Sequence, residues 1–222
     1  MIGDVSSRTA GWGALTFAVI VIAQNLIRGA SAPGNGASAA KVLSNYSGDG
    51  PISFVFAATD VVSGSGLAVF LGGVTRYLLA GSRPGWAIAG VVGALGIMTV
   101  FTLVVAAEQA LTVAARMDRP DLGAIQALWA LHNSIFTVLD LSIALALLGL
   151  SRASVACGMT PNTFTWLAPV GAVMLVVGTI AGPAIAAGHA TALFGVTGLG
   201  FLTWLAFRIA TGVRLVRTAE PA

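Results

Sequence analysis

Six stretches of the chain stay apolar for the roughly 20 residues that a bilayer crossing needs. They run over 10–30, 51–78, 86–115, 123–150, 164–186 and 190–213. Polar and turn-forming residues separate them at Gly81–Arg83, Met117–Asp121 and Ser151–Asn162. Connections this short predict antiparallel neighbouring helices. Pro84, Pro120 and Pro161 stand at helix starts, where a missing N–H costs little. Gly182-Pro183 predicts an end or kink in the fifth stretch, and His189 opens the sixth.

The one long connection runs from Ser31 to Gly50. Its first half, Ser31–Ser38, is rich in Gly, Ala and Ser. Its second half, Ala39–Tyr46, fits either a plain loop or a short outer-surface helix that dips Val42, Leu43 and Tyr46 inward. Ala30-Ser31-Ala32 has the form of a signal-cleavage site, but Arg28 precedes it and Pro33 follows, so the first stretch reads as a retained helix. The halves 1–115 and 123–222 show no internal repeat of the transporter kind. The expected architecture is one all-α integral membrane domain over 1–222, a six-transmembrane-helix bundle.

Composition removes the alternatives. Of 222 residues, 57% are hydrophobic and 9% charged, with a mean hydropathy of +0.92. A soluble domain carries about 25% charged residues, and a chain this apolar cannot remain disordered. Cys157 is the single cysteine, which excludes a disulfide framework or a cysteine metal cluster, and without a companion base it reads as inert. The net charge of +3 comes from cations scattered along the chain, which make no nucleic-acid footprint. With the N-terminus inside, the inner side holds Arg8, Arg76, Arg83, Arg152, Arg208, Arg214 and Arg217, and the outer side Arg28, Lys41, Arg116 and Arg119. This imbalance predicts both termini in the cytoplasm of a multi-pass cell-membrane protein. Gly90, Gly93 and Gly96, then Gly195, Gly198 and Gly200, read as helix-packing surfaces. No glycine pattern supports nucleotide binding. Trp86, Trp166 and Trp204 fit interfacial anchors, and Trp129 lies one turn deeper.

Three acids, Asp60, Glu108 and Asp140, fall inside the apolar stretches, with His132, Asn133, Gln24, Asn25 and Gln109. Ionisable groups in a membrane are expensive and point to function. At about 1.5 Å per residue, Asp60, Glu108 and His132 all come some 12–13 Å below the outer surface, and Gln24 and Asn25 about 8 Å below it. Trp129, His132, Asn133, Phe136 and Asp140 share one face of the fourth stretch. Ser53, Phe56, Asp60, Gly64 and Leu67 share one face of the second, and Phe101, Glu108 and Thr112 one face of the third. Asp140 lies deeper and reads as structural, paired with Arg76 or Arg152. Arg28 reads as a side chain that snorkels to the outer interface, or as a counter-charge to an acid. The plainer reading of each acid is a protonated carboxyl that ties two helices together. His132 and His189 lie at different depths, which disfavours bis-histidine haem. Asp60, Glu108 and His132 are chemically suited to a metal, but no ligand spacing supports one. No cofactor is expected.

A carboxylic acid in an apolar, partly desolvated site keeps its proton and can donate it where water does not compete. Aromatic faces stabilise a cation that forms nearby. The combination suits proton-initiated chemistry on a lipid-soluble alkene or epoxide. Asp60 or Glu108 would be the acid, the other carboxylate or His132 the base. Phe56, Phe101, Trp129 and Phe136 would line the path, with Gln24, Asn25, Gln109 and Asn133 as polar contacts.

In size, helical content and the acid midway along the second stretch, Asp60 in "FVFAATDVVSGSG", the chain resembles the small integral-membrane terpene cyclases of fungal and actinobacterial terpenoid pathways. The resemblance implies cyclisation of a prenyl chain by protonation, without metal or diphosphate loss. Six stretches rather than seven, and 8% aromatic residues, depart from that family. The segment "GASAAKVLSNYSGDG" followed by a long helix is also similar to actinobacterial membrane proteins of unassigned function. The expectation is therefore a membrane cyclase or isomerase acting on a prenylated or other lipophilic small molecule. Two other classes compete: a small proton-coupled transporter, and a non-catalytic subunit of a larger membrane complex. A homo-oligomer is compatible with each.

Overall fold

The computed structural model describes residues 5–48 and 52–218, and from Val55 onward the second segment's side chains. Its elements are α1 (Ser7–Ser31), α2 (Ala39–Tyr46), α3 (Ile52–Ala80), α4 (Pro84–Ala115), α5 (Leu122–Ala156), α6 (Phe164–Ile180), α7 (Gly182–Ala186) and α8 (Thr191–Thr218). Five of them, α1, α3, α4, α5 and α8, are long and apolar enough to span a membrane. No strand occurs among the described residues. The chain is a multi-pass helical membrane protein.

Local chemistry sets the helix starts. The Ser6 hydroxyl accepts from Thr9 N–H at 3.1 Å, and Asp121 accepts from Gly123 N–H at 2.7 Å, each satisfying a donor with no partner inside its helix. Pro84 occupies the first turn of α4. The segment Ala39–Tyr46 is the surface helix rather than a loop, capped by Ser38, with Val42 and Tyr46 buried. The fifth apolar stretch breaks at Ala181, so α7 begins at Gly182-Pro183.

Two helices run well past their expected ends. Helix α5 continues through Ser151–Ala156, because Ser151, Ala153 and Ser154 are buried against the bundle. The connection to α6 is correspondingly short, and Cys157 caps α5 rather than lying in a loop, its thiol directed at the Tyr77 carbonyl. Helix α8 likewise runs on to Thr218 with Leu215 buried.

The long helices close a ring in chain order. Helix α1 packs on α3, α3 on α4, α4 most extensively on α5, α5 on α6, α6 on α8, and α8 back on α1. Helix α2 lies across α4 and α5. Small residues allow the closest approaches: a Cβ on Gly90 would strike the Leu150 backbone nitrogen, and one on Gly93 that of Ala146. Gly13 and Gly66 make the matching contact between α1 and α3, and Gly200 meets Gly171. Gly195 and Gly198 have no neighbour within 4 Å, so only part of the second glycine group packs within the chain. Gly36 and Gly188, at φ +74° and +78°, each admit a carbonyl of the other segment where a side chain would stand, which pins the loop before α2 to the end of α7. The outward surface is apolar, with Leu26, Val61, Val92, Leu103, Val173 and Leu202 exposed as a membrane requires.

Gly90→Ala should lower the thermal unfolding temperature in detergent, by an amount corresponding to about 1–3 kcal/mol, because the Leu150 backbone cannot retreat. Gly64→Ala, which faces open space, should leave that temperature unchanged. Equal shifts in the two variants would show that the α4–α5 approach is not limiting.

Candidate functional site

Four long helices contribute polar side chains to one region near the end of the ring that carries α2. Arg28 of α1 turns inward and grips Glu108 of α4 with both terminal nitrogens, Nη1 on Oε1 and Nη2 on Oε2, the second contact at 3.2 Å. The Arg28 and Glu108 side chains are 12% and 5% exposed, so the pair is withdrawn from solvent. Arg28 therefore counters an acid instead of snorkelling. The fork of two charge-assisted bonds supplies more than an interfacial position would. Its guanidinium also lies 4.2 Å from the centroid of Phe56 and 5.6 Å from that of Phe136.

Helix α5 adds the second half. His132 Nε2 is 3.2 Å from Glu108 Oε1, and His132 Nδ1 is 3.2 Å from Asn133 Oδ1. Two arrangements satisfy both ring nitrogens: a neutral ring donating from Nε2 with the Asn133 amide turned to donate to Nδ1, or an imidazolium donating to both. The first also gives the otherwise unpartnered Asn133 Nδ2 an acceptor. Trp129 stacks on His132 at 4.9 Å, and Phe136 meets it edge-on at 5.0 Å. Tyr46 of α2 covers Trp129 at 6.3 Å, and Phe101 reaches the group through Phe136 at 6.4 Å. Tyr46 lies outside the spanning helices. Burial first, and the Glu108 charge second, push its phenol above the ordinary value, against the opposing effect of Arg28.

Beside this group, Gln24 of α1 donates to Asp60 Oδ1 at 2.5 Å and to the Thr59 hydroxyl at 2.7 Å. Asp60 Oδ2 and Gln24 Oε1 have no hydrogen-bond partner. Asp60 is half-buried, whereas Glu108, His132 and Asn133 are buried.

The three expected acid–base residues thus fall into two linked groups rather than one. Glu108 and His132 touch; Asp60 joins Gln24 instead. Two expected polar contacts lie elsewhere. Asn25 is exposed and donates to the Val21 carbonyl of its own helix, and Gln109 is exposed on the face of α4 opposite Glu108's contacts. Ser53 lies outside the side chains described. Asp140 pairs with neither Arg76 nor Arg152: it makes no hydrogen bond or ion pair with a described residue, and Arg152 Nε is itself unpartnered. Trp204 is no interfacial anchor; it is fully buried and stacks on Phe207 at 5.7 Å. Trp86 and Trp166 are exposed, as anchors require. Among the described residues, no three His, Cys, Asp or Glu side chains converge to hold a metal. Arg208, counted above only as an inner-side cation, is fully buried in α8.

No family model matches the chain, and no curated protein or solved structure matches it.

Arg28→Met should cost roughly 3–5 kcal/mol of stability by leaving Glu108 buried without its partner. The double variant Arg28→Met/Glu108→Gln should recover most of it. Additive losses in thermal unfolding would show that the pair contributes no coupling. The raised Tyr46 phenol stabilises the fold fully below its unfolded value of about 10, and that contribution is lost as pH rises towards the folded value. Trp129 emission should therefore change above about pH 10 as α2 detaches, and Tyr46→Phe should abolish that change.

Proposed function

We propose that the chain is a six-crossing protein of the cell membrane with both termini in the cytoplasm, and that it is an enzyme performing proton-initiated cyclisation or isomerisation of a prenyl or other lipid-soluble substrate. The sixth crossing is α6 with α7. This pair runs from Phe164, packed on Phe207 of α8 at 5.7 Å, to Gly182 against Thr137 of α5, and its end meets the loop at Gly36. The orientation rests on cations outside the bundle. With Arg28 and Arg208 withdrawn into it, Arg8, Arg76, Arg83, Arg152, Arg214 and Arg217 on one side outweigh Lys41, Arg116 and Arg119 on the other.

The observation that carries the enzymatic reading is the contrast between the two carboxyl groups. Both Glu108 oxygens are engaged by Arg28, so neither is free to hand a proton to a substrate. Asp60 has one oxygen fixed by Gln24 and the other unengaged, on a half-buried side chain next to lipid-facing Val61 and Val62. A prenyl chain approaching from the bilayer would take the Asp60 proton onto an alkene carbon or epoxide oxygen. Ring closure or rearrangement would follow, and the neighbouring C–H proton would pass to the His132–Glu108 pair. The substrate gains one proton and loses one, so the product is an isomer. The proton returns to Asp60 through the outer face. In this scheme Phe56 and Phe136 hold Arg28 in place, so aromatic support for a substrate cation falls to Phe101 and Trp129.

A proton-coupled transporter is the second reading, favoured by the buried charge that Arg208 places deeper in the bundle. The accessory-subunit reading is left with Gly195 and Gly198 alone, since Gly90, Gly93 and Gly200 are used inside the chain.

Membranes containing the wild-type protein, supplied with farnesylated and epoxidised lipids, should yield an isomeric product by mass spectrometry. Asp60→Asn should abolish it with the thermal unfolding temperature retained, while Glu108→Gln with Arg28→Met should slow it about 10²-fold or more through loss of the base. Identical extracts from folded wild-type and Asp60→Asn protein would remove the enzymatic reading and leave transport.

A further inference from the structure

Arg208 presents a charge for which the described residues supply no counter-charge. It is 0% exposed, and its Nε, Nη1 and Nη2 have no hydrogen-bond partner. Its guanidinium lies 3.7 Å from the centroid of Phe70 on α3, 5.2 Å from that of Phe17 on α1, and 5.4 Å from that of Trp204 on α8. Counting from the inner ends Ser7, Ala80 and Thr218, each of Phe17, Phe70 and Arg208 lies about 15 Å in. The three helices therefore agree on a position near the middle of a hydrocarbon layer about 30 Å thick.

Aromatic faces repay part of the cost of desolvating this cation, but they cover the faces of the guanidinium plane. The five N–H donors radiate within that plane and need oxygen acceptors. A buried charge at this depth is otherwise retained for a pathway or a ligand. On α1 and α8, the same two helices that flank it, the exposed Arg8, Arg214 and Arg217 lie toward the inner end and would gather anions there.

We propose that Arg208 is the receptor of a bound carboxylate, admitted along the seam of α1, α3 and α8 from the inner side. A carboxylate matches the guanidinium fork with two parallel bonds and cancels one charge with one. A phosphate dianion would leave a net negative charge at the same depth. The seam toward the inner end is closed by small residues in tight contact, Gly11 against Gly212 and Ala10 against Gly73, so the ligand enters only when these helices part. The ligand is either a fatty carboxylate from the bilayer or a small soluble carboxylate. This site is separate from the Asp60 group and does not depend on the enzymatic reading.

Trp204, stacked beside the guanidinium, is a built-in reporter. Full-length protein in nanodiscs of zwitterionic lipid is titrated with acetate, oleate and inorganic phosphate while tryptophan emission is recorded. The expected result is a saturable change with a carboxylate that disappears in Trp204→Phe and in Arg208→Met, weakens at least tenfold in Arg208→Lys, and persists in Asp60→Asn. Saturation by acetate identifies a soluble ligand, and saturation by oleate alone a bilayer one; both support the site. Three outcomes overturn it: no saturable change in the wild type with either carboxylate, saturation by phosphate alone, or the same curve in Arg208→Met. Should Arg208→Met fail to fold, the wild type compared with Arg208→Lys decides the question.

Discussion

The arrangement of the end of the bundle beneath α2 depends on one ion pair. Arg28 and Glu108 come from α1 and α4, which are separated in the ring by α3. A charge in a low-dielectric interior attracts its partner strongly but has lost its water, so the pair persists only where geometry and further hydrogen bonds restore the loss. The fork of Arg28 on both Glu108 oxygens, the His132 contact and the covering rings of Phe56 and Phe136 meet that condition. Once α1, α4 and α5 are held this way, Gln24 is carried to the level of Asp60, and Trp129 to the level of Tyr46 on the surface helix.

Glycine makes that pairing reachable. Helices α4 and α5 approach until Gly90 and Gly149 face each other, and α1 approaches α3 at Gly13 and Gly66. Lipid chains are as apolar as leucine, so burying apolar surface gives little drive for helices to associate in a bilayer. Close packing and the polar contacts must supply it. The two act at different heights: glycine contacts join α4 to α5 toward the start of α4, and the ion pair closes the opposite end.

The apolar run lengths were enough to locate the long helices, because that signal is local, whereas for Ala39–Tyr46 the sequence left loop and surface helix open until Ser38 was seen to cap it and Val42 and Tyr46, one turn apart, to be buried. The level at which Asp60, Glu108 and His132 lie was legible for the same reason, since rise per residue converts sequence position to depth. Partner choice was not. Nothing local to Arg28 distinguishes a side chain that reaches outward from one that reaches across the ring to α4. Asn25 and Gln109 sit one residue from Gln24 and Glu108, at the right depth, but a step of one residue turns a helical side chain by about 100° and away from the interior. The extra turn of α5 past Leu150 was hidden because Ser151 and Ser154 look like loop residues until the helix that buries them is in place.

Arg208 was visible in the sequence only as one more inner-side cation. Its place on α8 carried a signal, for it stands between Phe207 and Ile209, ten residues inside the helix end, too deep for a side chain to snorkel out easily. The two buried arginines then define a contrast. Arg28 near the end of α1 has an acid from the chain itself and so can serve as fixed structure around the groups beside it. Arg208, ten residues inside its helix, has rings but no acid among the described residues. An evolved bundle that needed only packing there would be served by an apolar side chain of similar volume, which in other proteins is often neutral or stabilising in place of a buried charge. The persistence of a guanidinium with all its donors unpartnered therefore argues that its compensation arrives from outside the chain, in the form of an anion that the bundle is built to admit.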